Sequence, residues 1–126
     1  MVKKTRYNIS DAEWEVMKTL WKKSPLTSNE VVKRLSGGVK WHPNTIKTML
    51  DRLVAKRVLG YDKRGRERLF SPLRTEAECV QEESDSFLKR VFAGAVRPMM
   101  AHFVKNQKLT PEDIRELKQI LRSKGK

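Results

Sequence analysis

Five short stretches of this chain state where a helix begins, and they leave little freedom for any other local structure. In "ISDAEW", Ser10 is placed to cap a helix, with Glu13 as its capping-box partner and Ile9 and Trp14 as a hydrophobic staple. "LTSNEV" repeats the pattern with Thr27, Glu30, Leu26 and Val31, and "TEAE" gives another box from Thr75 to Glu78. "LTPEDI" puts Thr110 at the cap, Pro111 at the first helical position, and Leu109 and Ile114 in the staple. "WHPNT" sets Pro43 first in a helix, with His42 as a less usual cap. Such side chains satisfy amide N–H groups that a helix start otherwise leaves without partners.

The starts predict helices over 11–23, 28–36, 43–56, 76–93, 96–106 and 111–123, with a hairpin over 57–71. "SGG" at 36–38 stops the second helix, because glycine reaches the left-handed region without strain. Pro98 falls in the first turn of its helix, where a missing N–H costs little, and Pro72 ends the second strand. Each helix has one dry face. Ile46, Met49, Leu50, Leu53 and Val54 follow the 3.6-residue period in the third helix, as do Trp14, Met17, Leu20 and Trp21 in the first. The expected fold is mainly α with a small β-hairpin wing: a winged helix-turn-helix over residues 1–73 and a helical dimerisation domain over 74–126.

Charge divides at the same boundary. The chain carries a net charge of +13. Residues 1–73 hold 17 Lys/Arg against 7 Asp/Glu, a net of +10, and residues 74–126 hold 11 against 8, a net of +3. A basic front half points to a polyanion, with solubility or an acidic membrane surface as blander explanations.

On a helical wheel the side opposite Ile46 collects Asn44, Thr48, Asp51 and Ala55, with Thr45 and Arg52 on one flank and Lys47 on the other. Short hydrogen-bonding side chains let a helix approach base edges, while Lys and Arg take phosphates or guanine. The wing follows directly in "VLGYDKRGRERLF". Val58–Asp62 is expected to pair with Arg66–Phe70 around a loop of Lys63, Arg64 and Gly65, leaving Arg64, Arg66 and Arg68 at or near the tip. Arginines there suit phosphates or a minor groove. The DNA-contact set is therefore His42, Asn44, Thr45, Lys47, Thr48, Arg52, Lys63, Arg64, Arg66 and Arg68, and the partner is double-stranded DNA. An ordinary solvated helix face, and a hairpin charged only to prevent edge pairing, are the plainer readings.

Catalysis and cofactors find no support. His42 and His102 stand sixty residues apart, and the chain has no H-E-x-x-H, C-x-x-C or phosphate-binding glycine loop. Glu82, Glu83 and Asp85 read as the wet side of a helix, and no metal set is apparent. Cys79 is alone, so it forms no intrachain disulfide. It reads as a quiet, partly buried thiol in a reducing cytoplasm. No apolar run approaches the ~20 residues of a membrane span, and "MVKKTRYNIS" lacks a leader's apolar stretch.

Past residue 74 the apolar stripes continue without an evident core. Val80, Phe87, Leu88 and Val91 form one. Val96, Met99, Met100, Phe103 and Val104 form a second, and Ile114, Leu117, Ile120 and Leu121 a third. Three short helices can hardly cover all this alone, so a twofold interface is expected, spacing two recognition helices one turn of DNA apart. In a monomer the same helices would instead pack back on the winged domain. Two other functions fit the basic charge: a winged-helix protein-interaction module, and a non-specific architectural or RNA-binding protein. The scarcity of aromatic residues argues against the latter's stacking platforms.

"ISDAEWEVMKTLWK", "WHPNTIKTMLDRLVAK", the wing and the closing "FVKNQKLTPEDIRELKQIL" resemble the BlaI/MecI family of bacterial penicillinase repressors. The resemblance runs over most of the chain in the same element order. It implies a homodimeric winged-helix repressor on an inverted-repeat operator, controlling β-lactam-resistance genes. It also implies a membrane sensor of the BlaR/MecR type and a dependent protease that cuts the dimerisation domain between Asn and Phe. The matching bond here is His102–Phe103, with His in place of Asn, and His42 stands where the family's "WSP" has Ser. The cysteine-rich metal motif of the related CopY copper repressors is missing from "LRSKGK".

Overall fold

A computed structural model describes residues 8–35 and 41–125. Its elements are α1 (Asp11–Lys22), α2 (Ser28–Leu35), α3 (Pro43–Ala55), β1 (Leu59–Arg64), β2 (Glu67–Pro72), α4 (Glu76–Phe92), α5 (Val96–Asn106) and α6 (Pro111–Lys124). The expected glycine stop at 36–38 lies outside the described residues.

The helix starts form as the sequence spells them. Ser10 Oγ accepts the Glu13 N–H at 3.2 Å, and Glu13 returns by accepting the Ser10 N–H at 2.9 Å. The Thr27–Glu30 and Thr75–Glu78 boxes close in the same way. In α6, Asp113 is the box partner of Thr110. The α3 start is less usual: the His42 ring accepts the Asn44 N–H at Nδ1, 3.1 Å away.

The chain forms two compact units, one ending at Glu83 and the other beginning at Ser84. In the front unit α1, α2 and α3 enclose a core of Val16, Met17, Leu20, Val31, Ile46, Leu50 and Leu53, closed by Val58, Leu59 and Phe70 from the hairpin. Leu26, the staple residue of α2, has a second task. Its N–H donates to the Phe70 carbonyl at 3.0 Å and its carbonyl accepts the Phe70 N–H at 2.8 Å, fastening the wing's base to the α1–α2 link. The Trp21 indole N–H donates to the Arg74 carbonyl, 2.9 Å away, so the segment entering α4 is held against α1. Cys79, in the first turn of α4, is only 3% exposed and belongs to this core. Burial pushes its thiol pKa up, and the nearby Arg74 charge only partly opposes that. The thiol stays protonated at neutral pH and is a poor nucleophile.

α3 ends in a left-handed residue that is not glycine: Arg57 has φ 63°, and the Val58 N–H reaches back to the Leu53 carbonyl at 3.1 Å. The rear unit differs in kind. None of the described residues from Ser84 onward is buried. Phe103 of α5 stacks on Phe87 of α4 at 6.0 Å, and Phe92 packs on Phe87 at 5.9 Å. Much of the remaining apolar surface stays open, including Ile120 and Leu121 at 61% and 65% exposure.

Candidate nucleic-acid interface

α3 presents two opposite faces. Ile46, Met49, Leu50 and Leu53 point into the core. Asn44, Thr45, Lys47, Thr48, Asp51 and Arg52 are all exposed. The Thr48 hydroxyl donates to the Asn44 carbonyl at 2.9 Å. Its proton is thereby used within the helix, and its methyl and remaining lone pair are what it offers outward. At the helix head, accepting the Asn44 amide at Nδ1 puts the neutral His42 ring's proton on Nε2, an outward donor. All the sequence-derived α3 residues thus share one accessible surface.

The wing differs in register from expectation. Pairing runs from Leu59 opposite Pro72 to Arg64 opposite Glu67, so the loop is Gly65–Arg66 rather than Lys63–Gly65. Gly65 has φ 64° and Arg66 does not share the positive φ, the pattern of a two-residue type II′ hairpin. Lys63 and Arg64 therefore end β1, and both are exposed, as is Arg66 at the turn.

Arg68 is not at the tip. It sits opposite Lys63 on the sheet face that also carries Tyr61 and Phe70. Its guanidinium lies 4.9 Å from the Tyr61 ring centroid and 4.8 Å from that of Phe70. Nη2 reaches Asp51 Oδ1 on α3 at 2.8 Å. The wing and the recognition helix are joined here by a charge pair that the sequence reading missed. Asp51 had been placed on the outward row of the wheel, but nothing local says which arginine meets it.

A second charge pair holds α3 from behind. Glu13, only 2% exposed, receives the Lys56 ammonium, which also donates to the Asn8 carbonyl at 2.9 Å. Burial pushes the Glu13 carboxyl up, but the Lys56 hydrogen bond, the Ser10 N–H and the Lys56 charge together pull it below the ordinary glutamate value. The start of α1 and the end of α3 are thereby fixed to each other.

The rear residues fall into two groups. Phe87, Leu88, Met99 and Leu117 are half-buried, while Val80, Val91, Met100, Phe103, Ile114, Ile120 and Leu121 are exposed. The His102–Phe103 bond lies inside α5. The His102 carbonyl accepts from the Asn106 amide at 2.8 Å, and its ring lies 6.0 Å from that of Phe103. Among the described residues no His, Cys, Asp and Glu group is placed to hold a metal ion, and no helix is long and apolar enough to cross a membrane.

Comparison with known proteins gives the same picture. The penicillinase repressor family model matches residues 9–123. The penicillinase repressor of Bacillus licheniformis is 45% identical over 113 residues, 90% of this chain and 88% of that one. The methicillin resistance regulatory protein MecI of Staphylococcus aureus is 30% identical over 118 residues, 94% and 96% of the two chains. Among solved structures, the monomeric form of Bacillus licheniformis BlaI in complex with the blaP half-operator superposes with a TM-score of 0.52 at 46% identity. It covers 60% of this chain and 93% of that one. This chain belongs to the penicillinase repressor family.

Proposed function

We propose that the protein is a sequence-specific DNA-binding repressor of antibiotic-resistance genes, acting as a homodimer on an inverted-repeat operator. The observation that carries this reading is the joint surface of α3 and the wing. A helix with short polar side chains facing outward stands beside a two-residue turn that carries Arg66 and follows directly on Arg64. α3 reads base edges from the major groove, and the wing arginines hold the adjacent backbone or minor groove. The half-operator complex of a 46%-identical repressor supports the assignment of the front unit.

The dimer rests on the rear unit, where Val91, Met100, Phe103, Ile114, Ile120 and Leu121 are not covered by the unit's own described residues. A second copy is the partner that supplies identical apolar stripes under twofold symmetry. Release from the operator follows cleavage at His102–Phe103 by a protease acting downstream of a membrane sensor. Because that bond is helical, α5 must open locally before cleavage.

The test is selection of duplexes from a random library, with affinities on the winner measured at two salt concentrations. An enriched inverted repeat with half-sites about one helical turn apart, bound ~10³-fold or more over random DNA, is the expected result. Arg64→Glu together with Arg66→Glu then abolishes binding to both DNAs. Absence of any enrichment, with steep salt dependence on every duplex, refutes sequence-specific repression and leaves the architectural reading.

A further inference from the structure

We propose that Asp51 and Arg68 form a clamp positioning the wing against α3, and that this clamp governs sequence discrimination more than overall affinity. The inference rests on the DNA-reading function proposed for α3 and the wing.

Asp51 lies seven residues beyond Asn44 and three beyond Thr48, on the same outward row of α3. Its side chain is 60% exposed. A free carboxylate on that row repels phosphates and accepts only from the exocyclic amines of bases. Arg68 removes this liability by occupying Asp51 Oδ1. It does so from a firm seat. Phe70, beneath its guanidinium, is wholly buried and held to Leu26 by two backbone hydrogen bonds, and Tyr61 packs on Phe70 with ring centroids 5.8 Å apart. The planar group is thus fixed on one side by two rings and on the other by α3.

Two consequences follow. The hairpin's angle to the recognition helix is set by a contact between strand β2 and the third turn of α3. One arginine of the wing is withheld from phosphates, so the backbone grip falls to Lys63, Arg64 and Arg66. Positioning residues of this kind change which sequence is accepted, because base contacts need both elements in register at once.

The full-length chain is assayed on its enriched duplex and on a scrambled duplex, with salt dependence and thermal melting alongside. Arg68→Lys keeps the charge but loses the planar stack and the fork. Its affinity for scrambled DNA and its salt slope stay at the wild-type values, while the specific-to-scrambled ratio falls by about tenfold, the scale of coupling between contacting residues. Asp51→Asn, at an exposed position that leaves the core untouched, releases Arg68 and adds one positive charge. Affinity for scrambled DNA rises about threefold, and the ratio falls again. A melting temperature unchanged in Asp51→Asn separates this from a stability effect. A wild-type preference that survives both substitutions overturns the clamp while leaving the DNA-reading function intact. A wild-type chain that prefers no duplex overturns that function and the clamp with it.

Discussion

Replacing Lys56 with Met tests how the recognition helix is held. The aliphatic stem is kept, but the ammonium that partners Glu13 is lost. Glu13 is 2% exposed, and among the described residues its carboxylate keeps Ser10, through its N–H and its hydroxyl, as polar partner. Removing one member of a buried pair costs roughly 3–5 kcal/mol. The Lys56 side chain is 31% exposed, so water reaches the vacated site and the lower end applies, about 3 kcal/mol. With a urea slope of about 1.5 kcal/mol per molar, the midpoint falls by about 2 M. All three tryptophans, Trp14, Trp21 and Trp41, lie in the front unit, so their fluorescence follows this transition.

The pH dependence carries the sharper test. In the wild type the Glu13 pKa is below its ordinary 4.5, so the group adds stability above that pH and the contribution is lost as pH falls through the lowered value. In Lys56→Met the hydrogen bond and charge of Lys56 are gone while burial remains, so the pKa of the same carboxyl rises above its wild-type value, opposed by Ser10 alone. The stability gap between the two proteins is therefore widest at neutral pH, narrows as pH falls through the variant's higher pKa, and stops narrowing once pH is below the wild type's lowered value and Glu13 is protonated in both. A gap under about 1 kcal/mol at pH 7, or one that does not change with pH, refutes the reasoning.

Further substitutions probe single features. Gly65→Ala meets no atom within 4 Å, so its cost is backbone strain alone. About 1–2 kcal/mol is expected, with a melting temperature roughly 4–8 °C lower per kcal/mol for a domain of this size. Arg57→Gly removes the strain of φ 63° at the end of α3 and raises the melting temperature, since glycine enters the left-handed region freely. Phe103→Asp shifts the sedimentation mass from dimer to monomer and weakens operator binding, and an unchanged mass removes the rear unit as the interface. Thr48→Val keeps the methyl but deletes the hydroxyl bonded to the Asn44 carbonyl. Affinity for the enriched duplex falls while that for random DNA holds, as competition binding will show.

Much of the front unit was legible in the sequence because its signals are local. A capping box couples residues three apart, so Ser10–Glu13, Thr27–Glu30 and Thr75–Glu78 are readable without knowledge of the fold. The same holds for the stripe of α3, whose buried and exposed sides follow from helical period alone. Even the unusual His42 cap was readable, because Pro43 is tolerated in the first turn of a helix but not in its interior.

What the sequence left open were contacts between residues distant along the chain. Hairpin register depends on Phe70 lying opposite Tyr61 and bonding to Leu26, and core packing therefore moved the turn to Gly65–Arg66. Arg68 looked like another tip arginine until pairing set it on the face of Tyr61 and Phe70, within reach of Asp51 seventeen residues earlier. Glu13 was recognisable as a box partner, but its union with Lys56, 43 residues away, appears only when α1 and α3 cross. Local hydrogen bonding and periodicity thus determined where the helices begin and which side of each stays dry. Tertiary packing decided which charges face outward and which are bound at home, because a charge's partner is set by proximity in space rather than along the chain.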